Sequence, residues 1–195
     1  MMKNESLLAL RERIAACRIC AEHLPLGPRP VVRFSATAGL VIVGQAPGTK
    51  VHESGVPWSD NSGARLREWL GMTEQEFYDV SKVALVPMGF CYPGKGKSGD
   101  LPPRKECAPQ WHEAILERLH RQRLTLLVGS YAQQYYLRDD ARNMTDRVQA
   151  FRDYLPRYLP LPHPSWRSTK WIKDNPWFET EVLPVLKAEV AKRLK

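Results

Sequence analysis

The chain lacks any apolar run approaching the roughly 20 residues that a membrane span needs. Its first stretch, Met1 to Ala9, has neither the apolar core nor the cleavage site of a secretory signal. The expected location is therefore the interior of a cell, in the cytoplasm, with no membrane partner. Acidic residues are in short supply: Lys and Arg outnumber Asp and Glu by 29 to 21, and the isoelectric point lies near 9.5. That balance favours a polyanionic partner such as nucleic acid. Internal repeats are absent. The 195 residues, 43% of them hydrophobic, suffice for one well-buried core and are too few for two comfortable domains, so a single domain over 1–195 and a monomer are expected.

What is present is organised around Leu40-Val41-Ile42-Val43, four branched apolar residues stopped by Gly44-Gln45-Ala46-Pro47-Gly48. The pattern reads as a buried parallel strand ending in a tight turn. In an open α/β sheet, ligands bind at the carboxyl ends of the strands, so this turn is the first place to look for chemistry. Before it, Leu7, Leu8, Leu10, Ile14 and Ala15 recur at helical spacing between Asn4 and Cys17, with Ser6 placed to cap. Further strands are expected at Val83 to Met88, Leu124 to Val128 and Tyr158 to Leu161. Helices are expected over Gly63 to Leu70, Ala108 to Leu119, Ser130 to Leu137 and Trp177 to Leu194. Thr49 to Ser62 reads as a long loop, the Gly, Pro and Lys rich stretch before Pro103 as neither helix nor central strand, and Arg138 to Asp153 as a mobile helix or loop. Strand and helix alternate four times, which predicts an α/β protein: a three-layer α/β/α sandwich around a small four-stranded parallel sheet.

Cysteine is scarce, and its four copies form a pattern: Cys17-x2-Cys20, a long gap, then Cys91-x15-Cys107. Structural disulfides are not expected inside a cell, whereas four thiolates converging on one point suit a tetrahedral sulfur site. Zinc and an iron-sulfur cluster both accept four cysteinates, and spacing does not separate them.

With Gly44-Gln45-Ala46-Pro47-Gly48 and His163-Pro164-Ser165 at two strand exits, the chain resembles the uracil-DNA glycosylase superfamily, most of all its iron-sulfur branch, family 4. The first motif of that branch reads G-E-A-P-G, and Gly55, Pro57, Trp58 and Gly63 fall on its following glycine, proline, aromatic and glycine. The resemblance spans about Leu10 to Leu194. It implies a structural [4Fe-4S] cluster on Cys17, Cys20, Cys91 and Cys107, with zinc as the alternative. It implies a DNA partner, single- or double-stranded, whose base is flipped into a pocket for excision. Trp58 is then the residue to stack on that base, with Gly48 and His52 beside it. His163 and the amides of Gln45 and Ala46 are placed to stabilise a base leaving as an anion. Ser165 and the Gly129-Ser130 turn suit phosphate contacts. Arg167 falls where superfamily members insert a wedge, and Trp166, Lys170 and Trp171 interleave aromatic and basic groups as a strand-binding surface would.

The departures from the family are specific. Ala46 stands where the best-known uracil excisors carry the Asp that orients the attacking water, as it also does in family 4. Gln45 replaces a glutamate, and His52 stands at an acidic position. The asparagine that reads the uracil edge is replaced by Pro87, leaving His52, Glu53, Asp60 and Asn61 as the polar groups near enough in sequence to substitute. Two other readings remain: a non-catalytic or weakly active nucleic-acid-binding member of the fold, or a zinc-containing enzyme acting on free nucleotides.

Overall fold

The computed structural model describes residues 5–97, 99–119, 123–138 and 142–194. The first helix, α1 (Leu7–Ala15), is capped by the Ser6 hydroxyl, which accepts from the amide of Ala9; its expected start at Asn4 lies outside the described residues. The chain then reaches β1 (Leu40–Val43), whose four residues are all buried. There follow α2 (Thr49–Ser54), α3 (Asn61–Leu70), α4 (Glu74–Tyr78) and β2 (Val83–Leu85). A small antiparallel hairpin, β3 (Lys95–Gly96) and β4 (Gly99–Asp100), precedes α5 (Cys107–Leu116). The remaining order is β5 (Leu124–Val128), α6 (Ser130–Leu137), α7 (Met144–Gln149), β6 (Tyr158–Leu161), α8 (Ser168–Asp174) and α9 (Leu183–Arg193), with one π-helical turn over Phe178–Val182 leading into α9.

The central sheet has four parallel strands in the order β2-β1-β5-β6. Alternation along the strands sends successive side chains to opposite faces. Leu40 and Ile42 join Leu66, Trp69, Phe178 and Leu186 on one side, whereas Val41 and Val43 join Leu10, Ile14, Trp111 and Ile115 on the other. This is the expected three-layer α/β/α arrangement. Chain direction across the sheet reverses between β1 and β5, the topological switch point where open α/β sheets hold ligands.

Three local expectations are corrected. Thr49 to Ser54 is helix rather than loop, because Val51 and His52 are buried and Gly55 closes the turn with φ 69°. Within Arg138 to Asp153, the described part is ordered by a capping box between Asn143 and Asp146 and by burial of Val148 and Phe151; residues 139–141 lie outside the described residues. The stretch after Arg167, read as a strand-binding surface, is the helix α8, and it packs Trp171 against the core. Trp171 meets the Trp177 and Phe178 rings, and its Nε1 donates to the Thr145 hydroxyl at 2.8 Å, so it is a packing residue and not part of a strand-binding surface.

Candidate active site

The exits of β1, β2 and β6 surround a cleft of about 500 Å³ lined by Gly44, Gln45, Ala46, Pro47, Gly48, Trp58, Pro87, His163 and Ser165 among others. Backbone bonds tie the first two exits together: the amides of Met88 and Gly89 donate to the carbonyls of Gly44 and Gln45 at 2.9 and 3.0 Å. Pro87 does sit at the exit of β2, where its ring offers no hydrogen bond to a base. Behind it, His112 Nε2 lies 3.0 Å from the Pro87 carbonyl while His112 Nδ1 lies 2.6 Å from the Tyr136 hydroxyl.

Trp58 is held in the left-handed region at φ 59°, a costly conformation for an aromatic residue and one concentrated at functional sites. Two glycines make room for it. A Cβ on Gly44 would stand 2.6 Å from Trp58 Cζ2, and one on Gly63, in the first turn of α3, would overlap the Trp58 carbonyl oxygen. The Tyr78 hydroxyl donates to the Pro57 carbonyl at 3.0 Å, and Asp60 Oδ1 accepts from the Gly63 amide at 3.0 Å.

His163 follows β6, whose end is clamped by buried Gln133 on α6: Gln133 Nε2 donates to the Leu161 carbonyl at 2.9 Å. The Gly129 amide donates to the same carbonyl at 2.9 Å, and the Ser168 hydroxyl donates to the His163 carbonyl. Burial lowers the pKa of His163, with the Asp60 charge opposing, so the imidazole is neutral near pH 7 and carries one N–H to donate. The Trp58 and His163 rings stack, centroids 5.8 Å apart.

The other candidates divide. Ser165 lines the cleft, and its carbonyl accepts from Arg65 at 3.0 Å. Trp166 is 77% exposed at the mouth, and Arg167 lines the same cleft. Gly129 lies behind His163, with Ser130 exposed on the first turn of α6. His52 is buried on α2 with its ring 6.1 Å from that of Tyr92, and it is not among the cleft-lining residues. Of the polar substitutes, Asp60 lines the cleft and Asn61 is exposed at the start of α3. Sequence reasoning missed Asp100, which the hairpin brings to the cleft; only the closely spaced glycines Gly96 and Gly99 hinted at a turn there. It also missed Gln133, whose role depends on strands distant in sequence.

Cys17, Cys20, Cys91 and Cys107 line one cavity on the far side of the β2 exit, together with Arg104, Glu106 and Trp111. All four are free thiols. Burial raises the thiol of Cys91 to about 11 and that of Cys107 to about 12. The Phe90 amide donates to Cys107 Sγ at 3.3 Å. Among the described residues, no three His, Cys, Asp or Glu side chains are grouped so as to hold a single ion. The four thiols share that cavity with one backbone amide aimed at sulfur. Bound positive charge would offset the burial that keeps these thiols protonated.

The fold is thus an all-parallel α/β sheet with a cleft at its switch point, where the Trp58 and His163 rings stack. The family model described as the uracil DNA glycosylase superfamily matches residues 32–187. The chain belongs to that superfamily, and membership supports a glycosylase-like function on DNA. Among the described residues no helix is long and apolar enough to cross a membrane.

Proposed function

We propose that the protein is a monofunctional DNA glycosylase that hydrolyses the N-glycosidic bond of uracil, or of a related deaminated base, and leaves an abasic site that initiates base excision repair. The observation that carries this reading is the convergence of Trp58 and His163 on one wall of the cleft, ring centroids 5.8 Å apart. A base in duplex DNA is extruded into the cleft. A base lying on the Trp58 indole gains about 1 to 3 kcal/mol of stacking and brings its edge to the imidazole. As the glycosidic bond breaks, charge grows on the departing base. The His163 N–H, with the Gln45 and Ala46 amides, is the preorganised donor set for that charge. Ser165, Trp166 and Arg167 at the mouth contact the DNA backbone and the gap left by the flipped base.

A [4Fe-4S] cluster on Cys17, Cys20, Cys91 and Cys107 is the favoured occupant of the cysteine cavity. Zinc on the same four thiolates is the alternative occupant. What supports a shared group is that all four cysteines line one cavity and that the Phe90 amide donates to Cys107 Sγ. When bound, such a group ties the amino-terminal segment to the loop between Cys91 and Cys107; it takes no part in the hydrolysis.

The test is incubation with uracil-containing oligonucleotides, single- and double-stranded, followed by alkali. Strand scission at uracil is expected. No scission of either substrate at micromolar protein overturns the enzyme and leaves a DNA-binding member of the fold, the reading that Pro87 favours.

A further inference from the structure

The first motif has no acid: Ala46 cannot orient or deprotonate water. The cleft, however, contains two carboxylates from outside that motif, Asp60 and Asp100. Asp60 is committed to the start of α3, where its Oδ1 accepts the Gly63 amide at 3.0 Å. Asp100 ends the β3–β4 hairpin, and its Oδ2 lies 3.3 Å from where a Cβ on Gly48 would stand. The carboxylate thus lies close against the first motif at Gly48. Among the described residues no hydrogen bond engages its oxygens. The charged groups around it are Lys95, its partner across the hairpin, then Arg167 and Asp60.

We infer that Asp100 supplies the carboxylate that the first motif lacks, facing the sugar of the flipped nucleotide and accepting a proton from the attacking water. The inference rests on the glycosylase reading above. The water oxygen bonds to C1′ while the C1′–N bond breaks, and that bond's electron pair leaves on the base nitrogen. The water proton passes to Asp100. The base anion, held at His163, then takes up a proton from Asp100 or solvent. The products are a neutral base and an abasic sugar with a new C1′ hydroxyl. Before the proton moves, the carboxylate also stabilises the positive charge that develops on the sugar ring.

Two further features support this role. Asp100 is exposed at the rim of the cleft, and partial desolvation of its carboxyl, with the Asp60 charge, raises its pKa against the opposing pull of Lys95 and Arg167, which makes it a better proton acceptor. The residue that leads into the hairpin, Gly94, lies close against Pro25, where a Cβ would stand 3.1 Å from Pro25 Cγ, so the otherwise exposed hairpin is anchored at its base.

The test uses Asp100→Asn in the whole protein, which keeps shape and removes the charge. The first readout is affinity for duplexes carrying either a cationic pyrrolidine or a neutral tetrahydrofuran in place of the deoxyribose. The parent should prefer the cationic form about tenfold, and the variant should lose that preference. An unchanged preference overturns the inference whether or not the protein cleaves uracil DNA. The second readout is single-turnover cleavage of uracil DNA, which should fall about 10²-fold, with duplex affinity within a few fold and the low-pH limb of the rate profile lost. A persistent limb, or an altered choice among bases with the limb intact, overturns the water role. A parent that cleaves no uracil DNA overturns the glycosylase reading, and the analogue comparison judges Asp100 separately.

Discussion

The indole of Trp58 and the imidazole of His163 lie with ring planes 29° from parallel and centroids 5.8 Å apart, and each is fixed from behind by a different layer of the fold. Gly44 at the exit of β1 and Gly63 of α3 leave the space that the tryptophan occupies. Gln133 and the Gly129 amide pin the strand end that carries the histidine. The platform and the donor are thus preorganised relative to each other.

His163→Ala tests the donor. A group that acts on developing charge is needed mainly in the transition state, so its loss should lower the rate and spare binding. Removing one such donor costs about 10²- to 10³-fold, or roughly 3 to 4 kcal/mol. Single-turnover cleavage should drop by that factor while DNA affinity stays within a few fold. His52→Ala is the comparison; because His52 packs beside Tyr92 and does not line the cleft, its chemistry should stay near the parent rate. The reverse pattern would move the chemistry from the His163 loop to α2.

Gly63→Ala should destabilise the protein although alanine favours helix by about 1 kcal/mol. The added methyl would overlap the Trp58 carbonyl, which is backbone and yields little. Overpacking of this kind costs about 1 to 3 kcal/mol, or a fall of at least about 3 °C in melting temperature for a chain of this size. Base excision should weaken with it, since the Trp58 turn moves. A melting temperature at or above that of the parent would show that the turn is free to shift.

His112 sets a stability limb in pH. Its ring is buried between Tyr136 and the Pro87 carbonyl, and burial lowers its pKa to about 4. The unfolded chain binds this proton near pH 6.5 and the folded one only near 4, so between those values the unfolded state holds more protons and stability falls as pH falls. Urea unfolding at pH 7 and pH 5 should show the loss, and His112→Gln should flatten it. An equal slope in the variant would mean that other groups carry the limb.

How much of this was legible in the sequence follows from how local each signal is. The run Leu40 to Val43 and the exits at Gly44 and His163 depend on apolar runs and breakers within a few residues, and each appears in the structure where expected. The helix Thr49–Ser54 was hidden because six mixed residues between two glycines carry no periodicity; burial of Val51 and His52 holds it. Trp171 was misread because aromatic and basic residues alternate equally on a surface and on an amphipathic helix, and only the neighbouring Phe178 decides which. Asp100 reaches the first motif from 52 positions beyond Gly48 through a hairpin, a contact that no short-range pattern encodes.

The cysteine cavity predicts a stability effect separable from chemistry. Cys17→Ala or Cys107→Ala should lower stability and solubility more than it changes the rate of whatever folded protein remains, because among the described residues the loop between Cys91 and Cys107 has only the small hairpin as structure before α5. Protein prepared without air should show a broad band near about 400 nm if the cluster is present, and the band should vanish in either variant. A colourless, zinc-containing preparation would assign the cavity to a single ion, and equal melting temperatures for parent and variants would argue against any shared group.

Arg167 should distinguish duplex from single strand. Its guanidinium sits against Gly99, where a Cβ would stand 2.8 Å from Nη2, and the glycine's φ of 133° keeps that side of the hairpin bare. Next to it, Trp166 is exposed at the mouth of the cleft. A side chain in this position can enter the gap that an extruded base leaves in a duplex, whereas a single strand has no such gap. Arg167→Ala should therefore weaken duplex binding and duplex cleavage together and leave single-strand cleavage nearly intact. A phosphate contact alone would behave differently: it would weaken both substrates alike and reduce the slope of log affinity against log salt by about one. Cleavage of matched duplex and single-stranded substrates at two salt concentrations separates these outcomes, and equal losses on both substrates would remove the wedge assignment.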